Sequence, residues 1–424
     1  MEGQVSASVE VRVPGDKSIS HRALILAVLA NGTSRVTGLL DSADVRSTAR
    51  ALRGLGAEIS DLSREGTTVI GGGARALRAP SAALDCGNSG TTARLLSGVV
   101  AALPFETDLV GDASLSRRPM RRVARPLEAM GARVRLAPGD TLPMRVRGGR
   151  LEPLDWESET SSAQVKSAIL LAGVAGRVTV TVREQRRSRD HTERMLRAMG
   201  ADVEQEGTVV RLRPGAELTA VDRHVPGDPS SAAFLAAFAA LADGVRVLLP
   251  DVCVNPTRAG FFALLQRMGA GIAMEERREQ AGELVASIRV KGGGELGSAT
   301  VTPAEVPSMI DELPLLACLA ARASGETVIE GAAELRVKES DRIAAVVAGL
   351  RAIGADAEER PDGLRVVGSR RPLAGRIVTH GDHRLAMAFG VLGALPGNEI
   401  EVDDPDCVSV SYPEFWRDLA RVAG

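Results

Sequence analysis

Aromatic side chains make up only 2% of this 424-residue chain, so its core must be aliphatic, and stacking on bases or sugars is not its main business. Lysine is scarcer than composition alone suggests: of 52 basic residues only Lys17, Lys166, Lys291 and Lys338 are lysines. Where arginine serves almost everywhere, a retained lysine points to a position needing a compact ammonium that can shed a proton. Lys291, beside Gly292-Gly293-Gly294 in an expected turn, reads instead as a surface residue. The four cysteines, Cys86, Cys253, Cys318 and Cys407, form no C-x-x-C pair, which fits a reducing compartment with buried or idle thiols and suggests no metal site. A net charge of −2 argues against a general nucleic-acid or acidic-membrane binder. The longest apolar runs, such as Ala232 to Ala242, are too short and too rich in alanine to span a bilayer. Neither a Walker motif nor a G-x-G-x-x-G opening a first βαβ unit is present, so nucleotide readings lose their usual support. Residues 1 to 13 lack a signal pattern and read as a strand, Val5 to Val13. A soluble, cytoplasmic protein is expected.

What recurs is an amphipathic helix that ends in glycine and runs into a strand. The copies end at Gly56-Ala57, Gly131-Ala132, Gly200-Ala201, Gly269-Ala270 and Gly354-Ala355, and a truncated sixth is Phe415 to Ala420. Glycine is the natural residue where a helix stops in the left-handed conformation. Six copies of one unit this long fit closed βα arrangements better than a solenoid. Pro226-Gly227-Asp228-Pro229-Ser230-Ser231 echoes Pro14-Gly15-Asp16-Lys17-Ser18, which divides the repeats into two sets of three. An α/β protein of two domains is expected: residues 14–226, and residues 1–13 with 227–424, with the ligand site in the cleft between them.

The densest chemistry stands early, in Pro14-Gly15-Asp16-Lys17-Ser18-Ile19-Ser20-His21-Arg22. A turn there opens onto an ammonium, hydroxyls, an imidazole and a guanidinium, which is the donor set of an anion site. Asp85 to Arg94 joins a strand to a helix through Gly87-Asn88-Ser89-Gly90; it reads either as a plain helix cap or as a helix N-terminus that receives a phosphate or carboxylate. Ser114 to Arg125 carries five arginines, of which Arg118, fixed ahead of Pro119, is singled out and the rest read as a solvated face. Ser161-Ser162-Ala163-Gln164-Val165-Lys166-Ser167 reads equally as a serine cap or as a ligand site. Asp190 and Glu193 have capping-box spacing, leaving Ser188 and Arg189 for function. Leu335 to Arg342 sets Glu339 and Asp341 among Arg336, Lys338 and Arg342, either as a salt-bridged helix start or as carboxylates that exchange protons beside cations that hold phosphate. Asp311 and Glu312 precede an apolar helix, as does His380-Gly381-Asp382-His383-Arg384; metal binding by His380, Asp382 and His383 has no further ligand cluster to support it.

Taken in order, "PGDKSISHR", "GNSGTTARL", "GDASLSRRPM", "LRVKESDR" and "GDHRLAMA" resemble the enolpyruvyl transferases, and within them the branch that acts on shikimate 3-phosphate, from Pro14 to about Pro413. The resemblance implies two domains, each of three βαββαβ units about a pseudo-threefold axis, an inside-out α/β barrel. It implies transfer of the enolpyruvyl group of phosphoenolpyruvate to the 5-hydroxyl of shikimate 3-phosphate, with release of phosphate, no metal and no organic cofactor, in a monomer whose partners are these small molecules. It places Lys17, Ser18, Arg22, Ser162, Gln164, Ser188, Asp311 and Lys338 on shikimate 3-phosphate. On phosphoenolpyruvate it places Lys17, Asn88, Gly90, Arg118, Gln164, Arg342 and Arg384. Asp311 is the expected base at the acceptor hydroxyl and Glu339 the expected proton donor to the methylene carbon, with Lys17 assisting. Glyphosate is expected to compete with phosphoenolpyruvate, since Gly90 is kept where some members have an alanine that narrows the pocket.

The sequence departs from the pattern at one place. Many members carry a lysine shortly before the C-terminal aromatic-Pro pair, where this chain reads Cys407-Val408-Ser409-Val410-Ser411-Tyr412-Pro413, so no contact is carried over to Val410. Two alternatives stand beside the main reading. The related transferase acting on UDP-N-acetylglucosamine typically has a cysteine in the loop matching Asp112 to Pro119 and an asparagine after the early lysine, and this chain has neither. A non-catalytic polyanion-binding relative would have had no use for Lys17, Asp311, Glu339 and Arg384 together.

Overall fold

The computed structural model describes residues 8–215 and 217–424. The chain divides into two compact units: an N-terminal unit of residues 15–225 with 280–283, and a C-terminal unit of residues 226–279 and 284–424 together with the described residues 8–14. Of the strand expected over Val5 to Val13, Val9–Glu10 is formed, while Val5 to Ala7 lie outside the described residues.

Three four-stranded sheets of one pattern build the N-terminal unit. In each, a first strand pairs in parallel with a second, and a hairpin returns antiparallel beside the second. Leu84–Asp85 lies parallel to Glu106–Val110, which pairs with Thr141–Arg147 and through it with Arg133–Ala137. Leu154–Glu157, Val180–Arg183, Val209–Leu212 and Val203–Glu206 repeat the arrangement. In the remaining sheet the first strand is Arg223–His224, from the far end of the unit, parallel to Asn31–Thr37. The C-terminal unit has two such sheets, one of them opened by Val9–Glu10 beside Arg246–Cys253. Its last repeat keeps only the parallel pair Ala374–Ile377 and Glu399–Val402.

Helices cross over between these strands, and they come in two kinds. Lys17–Leu29, Gly90–Ala101 and Ala163–Gly176 are buried along nearly their whole length, and the last two meet so closely at Gly98 that a Cβ there would lie 2.1 Å from the Ala168 carbonyl oxygen. Pro229–Leu241, Leu313–Ala320 and His383–Gly393 form the corresponding apolar interior of the C-terminal unit. Helices inside and one-sided sheets outside follow from the sequence: alanine- and leucine-rich helices are apolar all round, whereas strands such as Thr141–Arg147 alternate buried and exposed.

The second kind is amphipathic and carries the repeated glycine. Gly56, Gly131, Gly200, Gly269 and Gly354 all have positive φ. In every copy the glycine amide bonds three residues back and the following alanine amide bonds five residues back to a leucine carbonyl, as in Ala57 to Leu52 at 3.0 Å and Ala355 to Leu350 at 2.9 Å. Among the described residues no helix is long and apolar enough to cross a membrane.

Candidate active site

The motif residues collect at the N-termini of the buried helices. In the N-terminal unit Asp16 caps Lys17–Leu29, its Oδ1 accepting from the Ile19 amide at 2.8 Å. Ser89 caps Gly90–Ala101 through the Thr92 amide, and Ser162 caps Ala163–Gly176 through the Val165 amide. Three helix N-termini, each with its positive dipole end, thus stand beside the cationic side chains of the same motifs.

Lys17 Nζ donates to Asp44 Oδ2 at 3.2 Å, and both side chains are largely buried. Arg22, 4% exposed, donates to hydroxyls and a carbonyl: Thr192 Oγ1 at 2.7 Å, Ser167 Oγ at 2.8 Å and the Ser18 oxygen at 2.9 Å. Burial draws its pKa down to about 10, against the pull of Glu193 and Asp16. Arg118 donates to Asn88 Oδ1 at 2.7 Å, and Asn88 Nδ2 donates to Asp112 Oδ2 at 2.7 Å. Gly90 lies beside these groups; a Cβ there would meet Arg94 Nη1 at 2.8 Å and Arg118 Nη1 at 3.6 Å. Gln164 donates through Nε2 to Thr91 Oγ1 at 2.9 Å and accepts at Oε1 from Arg94 at 2.7 Å. Ser188 is buried, and its Oγ has no hydrogen-bond partner among the described residues.

A ladder of hydroxyls ties the helix ends together. His21 Nδ1 is 2.7 Å from Thr48 Oγ1, Thr48 Oγ1 is 2.6 Å from Thr92 Oγ1, and Thr92 donates to Ser89 Oγ at 2.8 Å. His21 is held well below its ordinary pKa by burial first, then by Lys17 and Arg22, and so remains neutral. The Ser188 loop is anchored by Lys166, which is buried with Glu184 at 2.6 Å and Glu193 at 2.9 Å. Burial alone would lower its pKa, but the two carboxylates raise it. The capping box expected of Asp190 and Glu193 is not formed: Asp190 pairs with Arg187 and Arg194, and Glu193 turns inward to Lys166 because a buried ammonium outbids a solvated cap.

In the C-terminal unit the expected residues converge on one carboxylate. Asp311 sits in the short 3-10 turn Ile310–Glu312 ahead of the buried helix Leu313–Ala320. Arg342 Nη1 donates to its Oδ1 at 3.3 Å, Lys338 Nζ lies 3.9 Å from Oδ1, and Arg384 Nη2 lies 3.8 Å from Oδ2. Arg342, 1% exposed, also donates to Glu339 Oε2 at 2.7 Å and to both oxygens of Asp382, at 2.8 and 3.2 Å. Burial alone would lower Arg342, but Asp382, Glu339 and Asp311 together raise it above the ordinary range. Burial alone would likewise raise Asp382, but Arg342 and His383 outweigh it and hold that carboxyl below its ordinary range. Lys338 is lowered, by burial first and by Arg342, with Asp311 opposing. Metal ligation by His380, Asp382 and His383 finds no support in this geometry, since Asp382 is engaged by Arg342, Ser340 and the Arg384 amide, and His380 is exposed. Val410 ends the 3-10 segment Pro405–Val410 and brings no cation.

Sequence reasoning passed over the groups that orient these side chains: Asp44 under Lys17, Thr192 and Ser167 around Arg22, Arg94 behind Gln164, and the Asp382 carboxylate on Arg342. Arg94, Ser167, Thr192 and Asp382 lie inside stretches that the sequence singles out; Asp44 lies in none of them.

The comparisons agree along the whole chain. The model of the EPSP synthase (3-phosphoshikimate 1-carboxyvinyltransferase) family matches residues 1–419. The 3-phosphoshikimate 1-carboxyvinyltransferase of Sulfurihydrogenibium sp. is 48% identical over 419 residues, covering 97% of this chain and 96% of the relative. That of Gloeobacter violaceus is 49% identical over 417 residues, covering 98% and 96%. Among solved structures, EPSP synthase from Acinetobacter baumannii superposes with a TM-score of 0.87 at 42% identity, over 98% of this chain and 96% of that one. The enolpyruvyl transferase NikO from Streptomyces tendae, 19% identical with a TM-score of 0.74 over 99% and 95%, shares the fold. On this sequence, these sheets and these matches, the chain belongs to the EPSP synthase family.

Proposed function

We infer that this chain transfers the enolpyruvyl group of phosphoenolpyruvate to the 5-hydroxyl of shikimate 3-phosphate and releases inorganic phosphate, a step of the shikimate pathway. The observation that carries the chemistry is the convergence of Lys338, Arg342 and Arg384 on Asp311, with Glu339 held by the same Arg342. Carboxylates able to take and give protons stand there among cations able to hold phosphate and carboxylate groups.

In this reading Asp311 accepts the proton of the acceptor hydroxyl as its oxygen attacks C2 of phosphoenolpyruvate. Glu339 delivers a proton to the methylene carbon, and a tetrahedral adduct results. Loss of a proton from the new methyl group and departure of phosphate restore the double bond. Lys17, Ser18, Arg22, Ser162, Gln164 and Ser188, with Asp311 and Lys338, hold shikimate 3-phosphate. Lys17, Asn88, Gly90, Arg118, Gln164, Arg342 and Arg384 hold phosphoenolpyruvate. Support for an anion receptor in the N-terminal unit comes from its three capped helix ends and its cationic side chains. We take the enzyme to act as a cytoplasmic monomer, a setting its four free cysteines fit.

The test is phosphate release from purified protein and phosphoenolpyruvate, with either shikimate 3-phosphate or UDP-N-acetylglucosamine as acceptor. Release with shikimate 3-phosphate alone is the expected result. Release with the nucleotide sugar, or with neither acceptor, would overturn the assignment.

A further inference from the structure

We propose that Arg94 is a positioning residue that fixes which end of the Gln164 amide faces the anionic substrate. The proposal rests on the reading above, in which phosphoenolpyruvate lies against these helix N-termini. Arg94 stands one turn into helix Gly90–Ala101 and is 5% exposed. Its Nη1 donates to Gln164 Oε1 at 2.7 Å, and its Nη2 donates to the Pro119 carbonyl at 3.3 Å.

A side-chain amide has a donor end and an acceptor end of nearly the same shape, so its orientation is decided by its partners. A hydroxyl such as Thr91 can accept or donate and would tolerate either. A guanidinium has donors only, so the end of Gln164 that meets Arg94 must be the carbonyl. The amino end then carries two protons: one goes to Thr91 Oγ1, and the other has no partner among the described residues. That proton is what the amide offers an anion. Without Arg94 the amide turns freely, and half of its orientations present a carbonyl oxygen to a phosphate or carboxylate.

Asn88 supplies the contrast. Its carbonyl meets Arg118 and its amino group meets the Asp112 carboxylate, so charged partners at both ends fix its orientation. Gly90 explains why the pair forms here, since any larger residue would push a methyl to 2.8 Å from Arg94 Nη1.

The experiment is steady-state kinetics with phosphoenolpyruvate and shikimate 3-phosphate on wild type, Arg94→Met, Arg94→Lys, Gln164→Met, Gln164→Glu and the double variant Arg94→Met/Gln164→Met. Loss of one charge-assisted hydrogen bond predicts a roughly tenfold higher KM for phosphoenolpyruvate in Arg94→Met, with kcat within about threefold. Arg94→Lys, whose ammonium can still donate to Oε1, recovers most of the loss. In the Gln164→Met background, Arg94→Met adds less than about twofold, because its route is already cut. Full additivity, or a fall in kcat with KM unchanged, overturns the proposal. Should Arg94→Met fail to fold, Gln164→Glu decides: it keeps Arg94 paired but turns an oxygen to the anion, so a KM equal to wild type overturns the proposal. If wild type releases no phosphate with either acceptor, the functional reading fails on its own, and the same variants are compared by calorimetric titration with phosphoenolpyruvate. Equal affinity of wild type and Arg94→Met then overturns the positioning role, and absence of binding to wild type overturns both.

Discussion

The same helix ends are put to different electrical use in the two units. In the N-terminal unit Arg22, Arg94 and Arg118 are held by neutral oxygens: hydroxyls, backbone carbonyls and amide carbonyls. In the C-terminal unit Arg342 is gripped by Asp311, Glu339 and Asp382, and Arg384 lies within 4 Å of Asp311 and Glu312. There carboxylates surround the cations. In the function proposed above, the first arrangement suits a receptor for anions, and the second suits a site where protons move beside positive charge. The difference teaches that a repeated scaffold supplies the location, and the partner of each arginine supplies the role.

The sharpest way to break this comparison is to delete one arginine of each kind. Arg342→Met leaves three carboxylates of the cluster without their shared cation, so stability is expected to fall by about 3–5 kcal/mol together with near-complete loss of turnover. Arg118→Met removes a cation held by an amide and a hydroxyl, and stability is expected to change by less than about 1 kcal/mol while KM for phosphoenolpyruvate rises. Urea unfolding and kinetics on both proteins check this. Equal stability losses would mean that the two arginines are held alike. The carboxylates themselves come next. Glu339→Gln and Asp311→Asn are expected to lower kcat by about 100-fold or more, the ordinary contribution of a positioned acid or base. Neither should move KM for phosphoenolpyruvate as far as Arg118→Met does.

A smaller effect belongs to the receptor side. Gly90→Ala places a methyl 2.8 Å from Arg94 Nη1, at a distance where the guanidinium must give way. Inhibition by glyphosate against phosphoenolpyruvate is expected to weaken by about tenfold, the worth of one disturbed charge-assisted contact. Equal inhibition constants for the variant and wild type would show that the pocket has room that the backbone geometry denies it.

The helix–glycine repeat was legible in the sequence because each copy needs a residue that tolerates positive φ followed by a return bond, and Gly56, Gly131, Gly200, Gly269 and Gly354 all supply it. The motif residues were legible as clusters because charged groups ahead of apolar helices are rare without a reason. What the sequence did not show was pairing across long separations. Asp44 lies 27 residues from Lys17, and Thr192 lies 170 residues from Arg22, distances over which no local period speaks. The capping box failed for the same reason, since the spacing of Asp190 and Glu193 says nothing of a buried Lys166 on another helix. The last repeat was legible as truncated at its C-terminal helix, but the missing hairpin beside Glu399–Val402 was not foreseen.

The smallest expected effect separates the units by pH. His21 is buried and neutral, with a folded pKa well below its ordinary value. Between that lowered value and the unfolded pKa of about 6.5, the unfolded chain binds a proton that the folded chain refuses, so stability falls as pH falls through this window. The slope for one such group is at most about 1.4 kcal/mol per pH unit. Asp382 works in another window: its folded pKa is also lowered, but as a carboxyl its contribution is complete above an unfolded pKa of about 3.9 and is lost only as pH falls through the folded value. Mild acid should therefore tax the receptor unit through His21 while leaving the Arg342–Asp382 pair untouched. His21→Asn, which can keep a hydrogen bond to Thr48 but cannot titrate, is expected to flatten the stability profile between pH 7 and pH 5, measured by urea unfolding at each pH. An unaltered slope in the variant would place the acid sensitivity elsewhere and remove this distinction between the two units.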